Sequence, residues 1–449
     1  MRSSVPKMLH PVCGRPMVAW PVRAALEAGA ERVCVIVSPD RDLSAALPNG
    51  TETIVQPKPD GTGGAVRAAL DVVQGAETLL VINGDHPLIT PELIRELFEV
   101  HTSSEAAATV ITVDRDDPDA LGRIVRDGDG SFDRIVETKH AEGIAPEILA
   151  LREVNTNTFA FNGAALADAL SRVENDNPAG EYYIGETLRV LREDGGRVIA
   201  HKVDDVSVNM GVNNRAELAT VSAVARRRIL KRHMVDGVTV TDPAATWIDA
   251  DVQIEPDVVI EPGTTLRGQT RVGRGSVIGP HTTIIDSVLG ADVTAPHSYL
   301  LECEVGDACA IGPFAYLRPG ARLREAAKAG AFVEIKNAEI GEGAKVPHLS
   351  YVGDAEVGAG SNLGAGTITA NYDGFRKHRT KVGRDARLGV DTALVAPVNV
   401  GDAAYTGAGS VITEDVPAGA LGITRTDQDN VEGYAEKKAR EAREEGDTE

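Results

Sequence analysis

An aliphatic residue recurring every six positions is the strongest constraint on how this chain folds. From Ile254 it runs through Ile260, Leu266, Val272, Ile278 and Ile284, with glycine following in Val272-Gly273 and Ile278-Gly279. The frame slips by a residue or two and resumes at Leu289-Gly290, Val305-Gly306, Ile311-Gly312, Leu317 and Leu323. It returns at Ile340-Gly341, Val346, Val352-Gly353, Val357-Gly358 and Leu363-Gly364, then from Val382-Gly383 through Leu388-Gly389, Leu394, Val400-Gly401 and Thr406-Gly407 to Ile412. One inward side chain per flat face, stacked coil on coil, buries a core that no single coil can form. The period predicts a parallel β-helix, with glycine expected at corners that need positive φ. Residues 371–381 cannot be a coil. They predict a loop thrown out from the helix, basic in an acidic chain, and loops on a rigid scaffold concentrate function.

The first half reads differently. Arg32 to Val37 and Thr78 to Asn83 are short apolar runs, and helical stretches lie at Met17 to Ala28 and Ala65 to Val73. Strand–helix alternation predicts an α/β domain with a largely parallel sheet. Asp85 follows the strand Leu79-Leu80-Val81-Ile82, at the carboxyl end where such sheets bind ligands. A carboxylate there suits Mg²⁺, which takes one or two protein oxygens plus substrate phosphates; an ordinary surface turn is the alternative. Gly61-Thr62-Gly63-Gly64 feeds a helix, a turn able to offer backbone N–H groups to an anion or a base edge, or to serve as a plain loop. Residues 215–235 predict an amphipathic connecting helix, with Arg226-Arg227-Arg228 on a solvated face. The charged, aliphatic-poor tail predicts a mobile end.

The chain has 449 residues, enough for two or three domains. Its net charge of −21 argues against nucleic acid or an anionic membrane surface as partner. Cys13, Cys34, Cys303 and Cys309 form no CxxC pair, so free thiols in a reducing compartment are expected, with no zinc site. Neither a leader nor a 20-residue apolar run stands out, which predicts a cytoplasmic protein with no membrane span.

Several long motifs converge: Pro6-Lys7-Met8-Leu9-His10, Gly180-Glu181-Tyr182-Tyr183, Gly211-Val212-Asn213-Asn214, Ile311-Gly312-Pro313-Phe314-Ala315 and Gly364-Ala365-Gly366-Thr367-Ile368, the last continuing to Asn371-Tyr372-Asp373-Gly374. With them the chain resembles, from Pro6 to about Thr426, the bacterial bifunctional N-acetylglucosamine-1-phosphate uridylyltransferase/glucosamine-1-phosphate N-acetyltransferase family. The resemblance implies an α/β nucleotidyltransferase (Rossmann-like) domain over 1–212, a connecting helix over 213–236, a left-handed parallel β-helix of hexapeptide repeats over 237–426, and a tail over 427–449. In the first domain it implies that Asp85 and Asn213 hold Mg²⁺ and that Lys7 meets phosphate. Gln56, Gly61 and Thr62 would read the uracil of UTP, and Gly122, Glu137 and Asn155 would grip the sugar. In the second, His348 would be the general base toward the amine of glucosamine 1-phosphate, with Glu334 orienting it. Imidazole suits that task because histidine titrates near working pH. Arg318 and Lys336 would bind the sugar's phosphate, and Tyr351, Asn362, Asn371 and Lys377 would complete the pocket. The Tyr372 backbone would stabilise the thioester oxyanion of acetyl-CoA. Asn371, Val390, Ala408 and Arg425 match coenzyme positions. The family is a homotrimer whose acetyl sites lie between neighbouring β-helices.

The chain also departs from the family's pattern. The family opens with a strand and the loop LAAGxGTRM, and this chain starts at the final Met of that pattern. Two readings stay open: a start upstream of Met1, or a first domain lacking its first strand and phosphate loop, with uridylyl transfer impaired. Asp60 and Gly64 stand where Leu and His are usual, and Gly185-Glu186 where Thr-Asp is usual. Met210 precedes Gly211 in place of an acid or small residue, Pro347 precedes His348 in place of Gly, and Val390 replaces Ser. These changes leave room for a diverged copy acting on another sugar. Besides the bifunctional enzyme, the sequence therefore admits an acetyltransferase with a degenerate first domain. It also admits a non-catalytic trimeric sugar-nucleotide-binding protein, which has no physical need for His348, Arg318, Lys336, Asn371 and Tyr372 together.

Overall fold

A computed structural model describes residues 1–138, 143–177 and 180–446. The chain forms two compact units, one of residues 1–232 with 248–251, the other of 233–247 with 252–449.

The first unit is built on a mixed sheet. Its strands run in the order Val198–Lys202, Ala108–Asp114, Glu153–Asn162, Arg123–Arg126, Phe132–Val136, and Thr78–Val81 also pairs with Glu153–Asn162. Only the first pair is parallel; Glu153–Asn162 runs antiparallel to its neighbours, and Arg123–Arg126 forms a hairpin with Phe132–Val136. The largely parallel sheet expected from strand–helix alternation is corrected here, because one long strand returns against the others and a short loop closes an antiparallel hairpin. Both faces are covered. Val110, Phe159 and Phe161 sit in one core cluster, while Ile111, Val113, Val154 and Ala160 sit in another. Two-sided burial explains why every residue of 108–113 is buried, Thr109 and Thr112 included, rather than every second one. A second, two-stranded parallel sheet joins Val33–Val37 to Thr51–Val55. Among the described residues those two strands pair only with each other, and Thr78–Val81 only with Glu153–Asn162, so Val33–Val37 and Thr78–Val81 each keep an open edge. The Pro91–Ser103 helix starts where its sequence says it should: Pro91 takes the first turn and the Thr90 hydroxyl accepts from the Leu93 N–H at 3.3 Å.

The Arg215–Val235 helix forms as expected, but its arginines are not all solvated. Arg228 donates to the Leu88 carbonyl at 2.6 Å and to Asp205 at 2.6 Å, pinning the helix to the first unit. A guanidinium supplies several donors at once, so it satisfies a carbonyl and a carboxylate together.

The second unit is the left-handed parallel β-helix, with sheets of seven, ten and nine strands among the described residues and a last parallel pair of Tyr405–Thr406 with Leu421–Gly422. Ile254 lies beside Val272, Ile260 beside Ile278 and Leu266 beside Ile284, so three hexapeptides close one coil. The frame slips become coils shortened at their corners, as where Leu289 pairs with Val305. The periodic aliphatics point inward, and Leu266, Ile284, Leu317, Ile335, Val352 and Leu394 are fully buried.

The expected reason for the glycines is corrected. Of the glycines that follow the aliphatic positions, Gly279 and Gly312 have positive φ, whereas Gly273, Gly358 and Gly364 do not. A Cβ on Gly364 would lie 2.4 Å from the Gly389 carbonyl carbon, and one on Gly358 would lie 2.5 Å from that of Gly383. These glycines exist because backbone passes backbone from coil to coil. Many left-handed corners are instead taken by non-glycine residues, including Asp286, Asp292, Phe314, Phe332, Asp385 and Asp391.

Of the expected 371–381 loop, residues 371–379 are a loop, while Thr380 and Lys381 already belong to the strand Thr380–Val382 of the next coil. Coils on either side of it pair Ala355 with Thr380, a longer span than any three hexapeptides give. At the far end, Tyr434–Gly446 is helical. A tail expected to be mobile carries this element because it is rich in Ala, Glu, Lys and Arg, with Lys438 bonded to Glu441 at 2.8 Å.

Candidate active sites

In the first unit, residues far apart in sequence converge on one cationic centre. Lys7 lies in the short turn Lys7–Leu9, Asp85 follows the Thr78–Val81 strand, and Asn213 precedes the Arg215–Val235 helix. The Lys7 ammonium donates to Asp85 Oδ2 at 2.7 Å and to Asn213 Oδ1 at 2.8 Å. Asn213 is held from behind. Its N–H donates to Glu217 Oε2 at 2.6 Å, while Asn214 Oδ1 caps the helix through the N–H groups of Ala216 and Glu217. The arrangement is a shifted form of the capping box, with Glu217 reaching the N–H of Asn213 and the carboxamide of Asn214 rather than the cap's own N–H, and the Asn-x-x-Glu spacing that encodes it was readable in the sequence but was missed there. His86, also missed, is buried against Gly211 with Nε2 3.9 Å from Asp85. Burial pushes its imidazole below the ordinary histidine range, against the pull of Asp85.

These oxygens fit Mg²⁺ chemistry. One carboxylate and one amide oxygen already share a positive charge, and no cluster of three or more His, Cys, Asp or Glu competes as a metal site among the described residues.

The uracil candidates cluster separately. Gln56 ends the Thr51–Val55 strand, and the Gly61–Gly63 turn docks on the 182–184 backbone. The Gly63 N–H donates to the Tyr182 carbonyl at 2.7 Å, and the Thr62 hydroxyl accepts from Ile184 N at 3.1 Å. Gly61, at φ 99°, has no room for a Cβ, which would lie 2.6 Å from Tyr182 O. The turn's tightness therefore serves this docking, and one of the N–H groups expected to face an anion is already used.

The sugar candidates also come together. The Asn155 N–H donates to the Gly122 carbonyl at 2.9 Å, and a Cβ on Gly122 would meet Glu137 Oε1 at 3.1 Å. Asn155 itself is buried and bonded to Asn157 at both ends of its carboxamide. Arg123, not anticipated from the sequence, is buried behind this group and bonds the Asp119 carbonyl and the Thr138 hydroxyl.

In the β-helix, consecutive coils stack the candidates on one wall. Leu317 pairs with Ile335, Glu334 with Tyr351 and Lys336 with Gly353, which sets Arg318, Glu334, Lys336 and Tyr351 side by side. Arg318 Nη1 donates to Glu334 Oε1 at 2.6 Å. Lys377, from the thrown-out loop, stands beside Lys336 and pushes its ammonium below the ordinary lysine range; Arg318 adds to the effect and Asp354 opposes it. Like charges held this close mark a place for an anion. Asp354, unforeseen in the sequence, is nine-tenths buried and accepts from Asn337 at 2.6 Å and from the Asn371 carboxamide. The same Asn371 nitrogen reaches Tyr351 Oη at 3.5 Å.

His348 is exposed at the end of the Lys345–His348 strand, in register with Ala331. Pro347 leaves the coil-to-coil bonding beside it intact. The Leu349 N–H still bonds the Ala331 carbonyl at 3.0 Å, and Gly330 makes room, since a Cβ there would sit 1.9 Å from Pro347 O. Glu334, expected to orient His348, is bonded to Arg318 instead, because the guanidinium shares its sheet one coil away. The loop is stiffened by Asp373, which accepts from Phe375 N, Arg376 N and His378 Nε2 at 2.6–2.7 Å. Those bonds, the Arg376 N–H foremost, hold its carboxyl down at about 2. Tyr372 and Lys377 bridge across the loop. Asn362 lies on the neighbouring face, bridged to Lys345 and Arg387, its N–H bonded to the Ala386 carbonyl at 2.9 Å. The coenzyme candidates gather on the last coils: the Gly409 N–H donates to Val390 O at 2.8 Å, and Arg425 reaches the Ala408 carbonyl at 3.4 Å.

A mixed α/β unit with a cation-centred acidic site, followed by a hexapeptide β-helix with a polar wall and a basic loop, defines the class of nucleotidyltransferases fused to a hexapeptide-repeat transferase. Comparison agrees: residues 1–189 match the MobA-like NTP transferase domain, and 246–286 match the bacterial transferase hexapeptide model. The chain is 45% identical to the bifunctional protein GlmU of Streptomyces avermitilis, over 98% of this chain and 92% of that one. It is 46% identical to that of Kineococcus radiotolerans over 97% and 89%, and 43% to that of Desulfitobacterium hafniense over 98% and 96%. The chain belongs to the bifunctional GlmU family.

Proposed function

We propose that this protein acetylates glucosamine 1-phosphate from acetyl-CoA and transfers UMP from UTP to the resulting N-acetylglucosamine 1-phosphate, making UDP-N-acetylglucosamine. The observation that carries the reading is the cluster of Arg318, Lys336 and Lys377 with Tyr351 and Asn371, on the wall where the loop interrupts the coils and just past His348 in the chain.

In the acetyl-transfer site, the three cations bind the sugar's phosphate and hold the amine toward His348. His348 takes the amine's proton as the nitrogen attacks the thioester carbon. The Tyr372 N–H stabilises the oxyanion, and the thiolate of coenzyme A leaves. Asn362, Tyr351 and Asn371 hold sugar hydroxyls, and Val390, Ala408 and Arg425 line the coenzyme's path.

In the nucleotidyl site, Asp85 and Asn213 are the oxygens that would hold Mg²⁺, which supplies charge neutralisation to the phosphates. Lys7 steadies phosphate oxygens, Gln56, Gly61 and Thr62 hold the base, and Gly122, Glu137 and Asn155 hold the sugar. The sugar phosphate attacks the α-phosphorus in line and pyrophosphate leaves.

The assembly is read as a homotrimer formed through the β-helix; outward apolar side chains such as Val288, Tyr299, Val390 and Val411 support it. The compartment is read as the cytoplasm. The four free cysteines, three of them buried, support that reading.

The test is a pair of assays on the full chain: thiol release with glucosamine 1-phosphate and acetyl-CoA, and pyrophosphate release with UTP, Mg²⁺ and N-acetylglucosamine 1-phosphate. Both products are expected. Thiol without pyrophosphate reduces the proposal to an acetyltransferase, and neither product rejects it. Sedimentation velocity reads the trimer.

A further inference from the structure

We infer that Asp60, seated over Gly64, is a positioning residue that locks the Gln56 carboxamide in one orientation and so enforces uracil over cytosine. The inference rests on the reading of Gln56 as the residue that meets the base. Gln56 Nε2 donates to Asp60 Oδ1 at 2.9 Å and to the Gly61 carbonyl at 3.2 Å. Both of its N–H bonds are therefore used, and among the described residues no donor reaches its Oε1. Flipping the amide would set Oε1 against a carboxylate and a carbonyl, two acceptors, so the environment fixes the orientation.

The lock depends on two positions. The Asp60 carboxylate lies where a side chain on residue 64 would go, since a Cβ on Gly64 would sit 1.8 Å from Asp60 Oδ1. The Asp60 backbone is anchored separately, its carbonyl accepting from Tyr182 N at 2.8 Å. Asp60 and Gly64, the two residues that depart from the family's usual Leu and His, thus form one contact.

The chemistry of the base follows. A fixed carboxamide oxygen accepts from the N3–H of uracil. Against cytosine it faces the N3 lone pair, and two acceptors repel. A Gln56 free to rotate would offer Nε2 to cytosine N3 instead, and discrimination would fall. A site built around one hydrogen-bonding pattern rejects an analogue that leaves its polar groups unpaired by large factors.

The experiment measures the UTP-to-CTP ratio in two ways: kcat/KM by pyrophosphate release, and equilibrium binding of each nucleotide by calorimetry, which needs no turnover. Asp60→Ala is expected to lower the ratio by roughly tenfold or more. The isosteric Asp60→Asn, able to donate as well as accept, should lower it less. Gly64→Ala should reproduce the loss by displacing the carboxylate, and the double variant should be no worse than either single one, because both break one contact. Thermal melts check that each variant folds, and Asp60→Asn keeps the test open should Asp60→Ala not fold. Gln56→Ala separates the two ideas. If it leaves the ratio unchanged, Gln56 does not meet the base and the inference falls with that reading. If Gln56→Ala lowers the ratio while Asp60→Ala, Asp60→Asn and Gly64→Ala do not, the reading of Gln56 stands and the lock is rejected.

Discussion

At the scale of single residues, charge decides most of what is specific here. Lys336 is held close to Lys377 and Arg318, an arrangement that costs free energy until an anion arrives. Lys336→Ala is expected to raise KM for glucosamine 1-phosphate by about tenfold or more, with a smaller change in kcat, as steady-state thiol release will show. A buried histidine supplies a second prediction. His101 is 3% exposed, its Nδ1 lies 3.1 Å from the Thr109 hydroxyl, and burial lowers its pKa. Its folded-state pKa lies below the unfolded value of about 6.5, so the unfolded chain binds the extra proton first. The stability it contributes is complete above about pH 6.5 and is lost as pH falls from there through the folded pKa. Urea midpoints measured between pH 7.5 and 5 should fall, and His101→Gln should flatten that fall. Asp85 and the basic loop were legible in the sequence, because a carboxylate after a strand and a break in a period are local signals, whereas His348 stood out only through the family resemblance. Their partners were not: that Lys7 would bridge Asp85 and Asn213, or that Glu334 would bond Arg318, depends on folding residues from distant segments together.

At the scale of elements, the β-helix is governed by how closely successive coils approach. Gly364 illustrates it, with a potential Cβ 2.4 Å from the backbone of the next coil. Gly364→Ala should force coils apart and cost about 1–3 kcal/mol, whereas Gly409→Ala, at positive φ but with open space around its Cβ, should cost about 1 kcal/mol of backbone strain. Chemical denaturation of the two variants separates the mechanisms. The six-residue period was sufficient to foresee the coil because an inward side chain must recur once per face. It did not distinguish a glycine needed for φ from one needed for space, since both leave the same letter in the sequence. The first unit's sheet shows the converse limit. Its strands were visible as apolar runs, but direction is set by connections and pairing, and the antiparallel return of Glu153–Asn162 leaves no mark on composition.

At the scale of the whole molecule, the proposed activities sit in two separate compact units. Asp85→Ala should abolish pyrophosphate release and spare thiol release, and His348→Ala should do the opposite, because neither residue contributes to the other's chemistry. A variant in which both assays fall together would contradict that independence. The sequence by itself determined the β-helix and its interruption at 371–381, since periodic burial is a one-dimensional property. It also determined the family, through motifs long enough to be specific. Only the tertiary structure decided which charges face one another, why the coil glycines are needed, and that Asp60 reaches Gln56 across the space left by Gly64. Those outcomes depend on distances of a few ångströms between segments remote in the chain, and residue order carries no such distances until the chain has folded.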